Sequence, residues 1–127
     1  MANAALAGGV AIGATCNVVS APLAFVIGTL AGALCVLGYA VIQARLQKLC
    51  RIVDTCCMHN LHGIPGLLGG LAAIFVVPGI VGTQTVGIAA TILLALAGGV
   101  LAGFVLRTTG TKRAVYEDNE DFAGIEA

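Results

Sequence analysis

The sequence predicts an all-α fold, a polytopic transmembrane helix bundle with about four spans. Hydrophobic residues make up 59% of the chain and charged residues 9%, against about 45–50% and about 25% in ordinary soluble domains. All Lys, Arg, Asp and Glu residues fall within positions 45–54 and 107–126. The two long blocks without formal charge, 1–44 and 55–106, therefore indicate a chain that lies mostly in lipid.

The first two predicted spans are residues 4–19 and 23–42. The first is short for a bilayer core of about 30 Å at about 1.5 Å per helical residue, which indicates a truncated or tilted helix. A break at Ser20-Ala21-Pro22 separates the two spans. The second span is long enough to cross a bilayer and ends at the polar segment that begins with Gln43.

The third and fourth predicted spans are residues 55–77 and 86–106, with a short turn at Pro78-Gly79 between them. Residues 1–110 therefore form the predicted membrane region. Residues 111–127 form an acidic tail that is polar enough to remain in water.

The distribution of basic residues predicts the orientation of the chain. All six Lys and Arg residues lie between the second and third spans or after the fourth. Because cytoplasmic loops carry an excess of Lys and Arg, both regions are expected on the cytoplasmic side. An even number of crossings then places the amino terminus and the acidic tail on that side too.

Glycine is unusually frequent, with 18 residues in 127, roughly twice the average usage of about 7%. Small residues let helix backbones approach closely in lipid, where the hydrophobic effect does not drive helix association. A single GxxxG can also reflect the higher glycine content of membrane helices. The density as a whole predicts tightly packed helices around Gly8-Gly9, Gly28 and Gly32, Gly69-Gly70, and Gly98-Gly99 with Gly103.

Several functional classes find no support in the composition. The formal net charge is zero and Trp is absent, so nothing would neutralise phosphates or stack bases, and nucleic acid is not an expected partner. We expect no enzyme and no cofactor, because a Walker-type loop is missing and nucleophilic catalysis by Cys56 or Cys57 lacks a recognisable third orienting group. The cysteines are interpreted as reduced thiols.

His59 and His62, the two histidines of the chain, lie near the start of the third span. On an α-helix a spacing of three places both imidazoles on nearly one face, and polar groups in a membrane are costly unless they line a cavity or find partners. A neutral imidazole offers one N–H donor and one nitrogen acceptor, so it can hydrogen-bond a small polar solute such as ammonia. There are three structural alternatives: a histidine pair at the membrane interface, a structural hydrogen bond to a neighbouring helix, or a helix start capped by Asp54.

A metal site is a further alternative, since Cys56, Cys57, His59 and His62 all carry possible ligands. Adjacent cysteines on a helix point about 100° apart, so one short helix cannot aim all of these groups at one ion.

The depth of His59 depends on where the third helix begins. If it begins at Thr55, His59 lies only about 6 Å inside the helix. If the regular helix begins near His62, next to Pro65, and residues 55–61 enter as irregular chain, His59 lies deeper. The sequence leaves both possibilities open.

The segment Asp54-Thr-Cys-Cys-Met-His-Asn-Leu-His-Gly-Ile-Pro-Gly66 resembles the Asp-Thr-Cys-Gly-Val-His-Asn-Leu-His-Gly-x-Pro-Gly signature of the Rhesus (Rh) glycoproteins. Residues 3–13, 36–39 and 98–107 are similar to further segments of that family. The resemblance covers nearly the whole chain, but only a C-terminal part of a full family member.

The resemblance implies a channel-like ammonia/ammonium transporter of the Amt/Rh superfamily, usually a homotrimer, in the lipid bilayer of a eukaryotic plasma membrane. By position in the signature, His59 matches the second histidine of a twin-histidine pore, and His62 matches the other histidine of the motif. Asp54 matches an aspartate at the cytoplasmic end, where we expect it to cap a helix.

The chain also departs from the family pattern. Cys57 replaces a glycine of the signature, and Met58 replaces a smaller apolar residue. The first twin histidine and a phenylalanine gate belong to earlier spans that this sequence does not contain, so we expect a fragment or partial chain. A non-conducting membrane subunit with structural histidines, and a metal-binding or redox membrane protein, are the alternative functions.

Overall fold

The computed structural model describes residues 2–51, 54 and 58–110. These residues form helices and turns with no strand, which confirms the all-α prediction. The α-helices are α1 (Ala2–Ile12), α2 (Ala21–Leu37), α3 (Gln43–Cys50), α4 (Ile64–Val76) and α5 (Val81–Thr108). The chain also forms two π-helical turns. The first, π1 (Gly38–Ile42), joins α2 to α3, and the second, π2 (His59–Gly63), leads into α4.

Among the described residues, three continuous helical stretches are long and apolar enough to cross a membrane: Ala21–Cys50, His59–Val76 and Val81–Thr108. Helix α1 has 11 residues, fewer than the roughly 20 that a bilayer core requires. The first expected span, 4–19, is therefore helical only in its first part. After Ile12 the chain forms turns, in which the amides of Thr15 and Val18 bond to carbonyls only three residues earlier.

The other helix boundaries follow from local chemistry. Ser20 is extended, with φ −73° and ψ 156°, and Pro22 occupies the first turn of α2. The helical stretch that begins there runs past the expected end at residue 42 and stops at Arg51, which has a left-handed backbone with φ 53°. Helix α4 ends before Val77, whose extended backbone is the one favoured ahead of Pro78.

Helices α1, α2 and α4 pack through glycines in the unit formed by residues up to 90. A Cβ added at Gly8 would lie 3.1 Å from the carbonyl oxygen of Gly28, and one at Gly32 would lie 3.0 Å from that of Ala4. A Cβ at Gly69 would overlap the carbonyl oxygen of Ala11. The backbones thus touch directly, which confirms the predicted close contacts for these glycines.

Helix α5 begins within this unit and contacts α4 near its start. The Nε2 of Gln84 donates to the carbonyl oxygen of Gly70 at 3.1 Å, and the Cγ1 of Ile88 lies 3.2 Å from a Cβ built on Gly70. The chain from residue 91 forms a separate unit, whose described part continues α5 to Thr108. No residue of α5 is buried.

Candidate functional site at the π-helical turn around His59

The candidate site lies on π2, the turn that carries both histidines. The backbone N–H of Ile64 donates to the carbonyl oxygen of His59, five residues earlier. Such π-helical turns are rare and occur frequently at functional sites. Met58 is already helical, and the regular α-helix starts only at Ile64. The two expected arrangements differ in residues 55–57, which lie outside the described residues.

His59 and His62 are both exposed on the surface of the described chain, whereas Asn60 between them is fully buried. The wider π-helical turn spreads residues i and i+3 further apart around the axis than an α-helix does. The sequence predicted that both imidazoles lie on nearly one face of an α-helix. In the structure both are exposed on a wider turn, further apart around its axis.

The Asp54 carboxylate lies at the start of this helical stretch. Its Oδ1 accepts a hydrogen bond from the backbone N–H of Met58 at 2.8 Å, and its Oδ2 accepts one from that of His59 at 3.0 Å. A carboxylate is favourable at a helix N-terminus, where backbone amides need acceptors. Residues 55–57 lie outside the described residues, so the expected role of Asp54 as a helix cap stays a prediction that these two hydrogen bonds support.

Asn60 connects π2 to π1. Its Nδ2 donates to Oε1 of Gln43 at 3.0 Å, and the backbone N–H of Gln43 closes π1 by donating to the carbonyl oxygen of Gly38. A Cβ on Gly38 would overlap Oδ1 of Asn60 and would lie 2.8 Å from its Cγ. The absence of a side chain at Gly38 is therefore what lets the two π-helical turns meet.

The Oδ1 atom of Asn60 is buried and accepts no hydrogen bond from any residue that the structure describes. Leaving a buried polar atom unsatisfied costs about 1–3 kcal/mol. A side chain held in place at that cost calls for an explanation beyond packing.

A second polar contact lies beside π1. The Nδ2 of Asn3 donates to the hydroxyl of Tyr39 at 2.6 Å, and the thiol of Cys35 donates to the carbonyl oxygen of Asn3 at 3.7 Å. These contacts tie the start of α1 to the end of α2. Cys16 and Cys50 are exposed thiols.

The structure brings Asp54 and His59 together through a hydrogen bond and places His62 on the same turn. Cys56 and Cys57 lie outside the described residues, so the predicted alternative of a metal site with these ligands stays untested. Within the ranges that are described, no group of three or more His, Cys, Asp or Glu side chains could hold a metal ion.

Sequence reasoning missed Gln43 and Asn60. Both carry amide side chains on helical stretches long and apolar enough to cross a membrane, and polar side chains in such helices commonly hydrogen-bond across helices. The sequence therefore indicated that these amides could form hydrogen bonds between helices, but it did not indicate which residues would be their partners.

An open groove of about 770 Å³ lies between α1 and α2, and small residues such as Gly8, Gly28 and Gly32 line it. Neither histidine contributes to this groove. Both imidazoles are instead exposed on the surface of the described part of the chain.

The long apolar helices, the polar groups held between them and the uncovered histidines define an integral membrane protein built as a helix bundle. Comparison with known proteins identifies the family. The model of the Ammonium Transporter Family matches residues 1–123, and the chain belongs to that family.

Three similar proteins illustrate the relationship. Ammonium transporter Rh type A of Mus musculus is 43% identical and is aligned over 83% of this chain and 25% of its own length. Ammonium transporter Rh type B of Takifugu rubripes is 36% identical and is aligned over 83% of this chain and 29% of its own length. The solved structure of Nitrosomonas europaea Rh50 is 52% identical, has a TM-score of 0.85, and is matched over 96% of this chain and 32% of that chain.

These matches confirm the predicted resemblance to Rh proteins and the predicted ammonium transporter fold. The chain spans only 25–29% of the length of the Rh type A and type B relatives named above.

Proposed function

We propose that the protein to which this chain contributes conducts ammonia or ammonium across a membrane, with His59 and His62 in the wall of its pore. The observation that carries this proposal is the uncovered pair of imidazoles at the start of an apolar helix, in a member of the Ammonium Transporter Family. An imidazole left against lipid would be costly. Further helices of a longer chain, on the scale of the relatives, would cover it and leave a path for solute.

The chemistry of a neutral imidazole suits this role. One ring nitrogen donates a hydrogen bond and the other accepts one, so the ring can receive ammonia, which also donates and accepts. It places no fixed positive charge in the path, and a fixed cation would repel ammonium. In this proposal Asp54 acts on the helix and not on the solute, because its carboxylate oxygens accept hydrogen bonds from backbone amides.

We also propose the orientation and assembly that the sequence and the family resemblance suggest. The basic residues near Arg45 and Arg107 face the cytoplasm, with both termini on that side. The complete protein is a homotrimer in a eukaryotic plasma membrane.

The orientation can be tested by labelling single cysteines. Cys16 and Cys50 are both exposed, and they lie at opposite ends of the stretch that includes α2 and α3. Two variants, each keeping one of them and carrying serine at the other cysteines, are treated in intact cells with a membrane-impermeant maleimide. Cys16 should react from outside and Cys50 only after lysis; the reverse pattern would contradict the proposed orientation.

Conduction can be tested in a chimera in which this chain replaces the matching segment of Nitrosomonas europaea Rh50. His59→Ala should lower the initial rate of methylammonium uptake by about tenfold, since a lost hydrogen bond to the solute of about 1–1.5 kcal/mol corresponds to that factor. His62→Ala should also lower it. Cys50→Ala is the control, because Cys50 is exposed and belongs to neither π-helical turn.

Unchanged uptake in both histidine variants, at equal amounts of chimera in the membrane, would refute a pore role for these residues. It would instead support structural roles for both histidines, whereas a chimera that shows no uptake even with both histidines present would support the alternative of a non-conducting membrane subunit.

A further inference from the structure

We propose that Gln43 and Asn60 form an amide pair that positions the His59 imidazole by holding π2 against π1. The functional meaning of this pair rests on the proposed pore role of His59. Neither amide has to touch the solute, so both are positioning residues.

The first step of the argument is the fixed place of Asn60. Its side chain is fully buried, lies against the backbone of Gly38 and donates to Oε1 of Gln43 at 3.0 Å. Its own oxygen is left without a donor among the described residues. Packing alone would favour an apolar side chain of the same shape, so the retained amide indicates a specific attachment between the two turns.

The second step is that Gln43 holds the His59 segment on both sides. Its Oε1 accepts from Asn60, directly after His59, and its Nε2 donates to the carbonyl oxygen of Asp54 at 3.4 Å, before it. The carboxylate of Asp54 in turn accepts the hydrogen bond of the His59 N–H. One amide side chain at the end of π1 thus connects to both flanks of the histidine.

The third step is that, among the described residues, no side-chain hydrogen bond fixes the imidazole. The side chain of His59 is exposed, and its Nδ1 lies only in ordinary contact range of Gly63, 3.7 Å from a Cβ built there. The direction of an exposed side chain follows from its backbone and rotamer. Since π2 sets that backbone and the amide pair anchors π2, loss of the pair should free the ring.

The test uses the full chain in detergent micelles with isotope-labelled histidine. Its two imidazoles are assigned with His59→Gln and His62→Gln, and their ring resonances are followed by NMR. Asn60→Leu keeps the shape of the side chain and Gln43→Met keeps its length, while each removes the shared hydrogen bond. Each should shift or broaden the His59 ring signals, and the double variant should add nothing further.

Thr29→Val is the matched control, because it also removes one side-chain hydrogen bond, from the Thr29 hydroxyl to the Phe25 carbonyl oxygen at 2.8 Å. It should leave the His59 signals unchanged. If amide variants do not fold, Gly38→Ala keeps both amides and takes the space of Asn60, with Gly9→Ala, which has open space, as its control. Unchanged His59 signals in folded Asn60→Leu or Gly38→Ala, or additive changes in the double variant, would overturn the proposal.

A transport measurement in the Rh50 chimera separates this proposal from the proposed function. Asn60→Leu should lower uptake by about the same factor as His59→Ala, and it should cause no further loss once His59→Ala is present. If His59→Ala leaves uptake unchanged, the pore role fails, while the NMR experiment still decides whether the amide pair positions the ring. A further loss from Asn60→Leu on top of His59→Ala would show that Asn60 does not act through His59.

Discussion

Two GxxxG segments of the same spacing have different surroundings in this chain. In α2, a Cβ on Gly28 would lie 3.8 Å from the Cα of Gly8, and one on Gly32 would lie 3.0 Å from the carbonyl oxygen of Ala4. In α5, Gly99 and Gly103 have no neighbour within 4 Å of such a Cβ among the described residues. The pattern therefore shows that a helix can be approached closely, but not whether a partner is present in the same stretch of chain.

The difference also separates two kinds of apolar helix. The glycines of α2 contribute to a contact within the chain, while α5, of which no residue is buried, exposes large side chains such as Leu94 and Phe104. A surface of this kind is expected to meet lipid or further protein. Four substitutions, three of them at glycines, rank the helix contacts and test this distinction, each measured as a free energy of unfolding in mixed micelles.

The largest effect is expected for Gly69→Val. Any Cβ at this position overlaps the carbonyl oxygen of Ala11, which is backbone and cannot rotate away. Helices α1 and α4 would have to separate, at a cost of about 3 kcal/mol or more, the upper range for overpacking. Gly9→Ala serves as the control, because a Cβ there meets nothing within 4 Å. Equal stability of the two variants would show that α1 and α4 do not touch at Gly69.

A smaller loss is expected for Gly32→Ala. The added Cβ would lie 3.0 Å from the carbonyl oxygen of Ala4, so α1 and α2 need shift by only a few tenths of an ångström. We expect a destabilisation of about 1–2 kcal/mol. A stabilised Gly32→Ala variant would mean that higher helix propensity outweighs the contact.

Gln84→Leu should have a still smaller effect, about 1 kcal/mol. It removes the hydrogen bond from the side-chain amide to the carbonyl oxygen of Gly70 but keeps an apolar side chain near Ile88. Thr85→Val is the comparison, since the Thr85 hydroxyl bonds only to the carbonyl oxygen of Val81 within α5. If both variants lose the same free energy, the α4–α5 hydrogen bond contributes nothing specific.

No loss of stability is expected for Gly103→Leu, because nothing lies near this position in the described chain and leucine has the higher helix propensity. The same substitution in the Rh50 chimera should reduce the yield of assembled protein if further helices cover α5. An unchanged yield there would indicate that this face of α5 meets lipid.

The sequence predicted the all-α fold, the break at Ser20-Ala21-Pro22 and the segment that carries His59, because these depend on composition, on proline and on a specific signature. It did not predict the end of α1 at Ile12. It also missed the two π-helical turns, because they depend on contact between residues far apart in the sequence, Asn60 with Gly38 and Gln43. Helical periodicity within one segment carries no information on such contacts.

The roles of His59 and His62 remain predictions that the experiments above address, and the role of Asp54 as a helix cap remains a prediction as well. The sequence could name these residues because they stand in a signature. It could not name Gln43, which lies outside any motif and matters through its place beside π2.

The hydrogen bond from Ile64 back to His59 spans one residue more than an α-helix would allow. One residue corresponds to a rotation of about 100° around a helix axis. Deleting a residue from π2 would therefore change the angular phase between the imidazole and the side of α4 on which Gly69 meets α1. Helix α4 can pack on one side, and π2 can present the imidazole in another direction, only while this angular phase is kept.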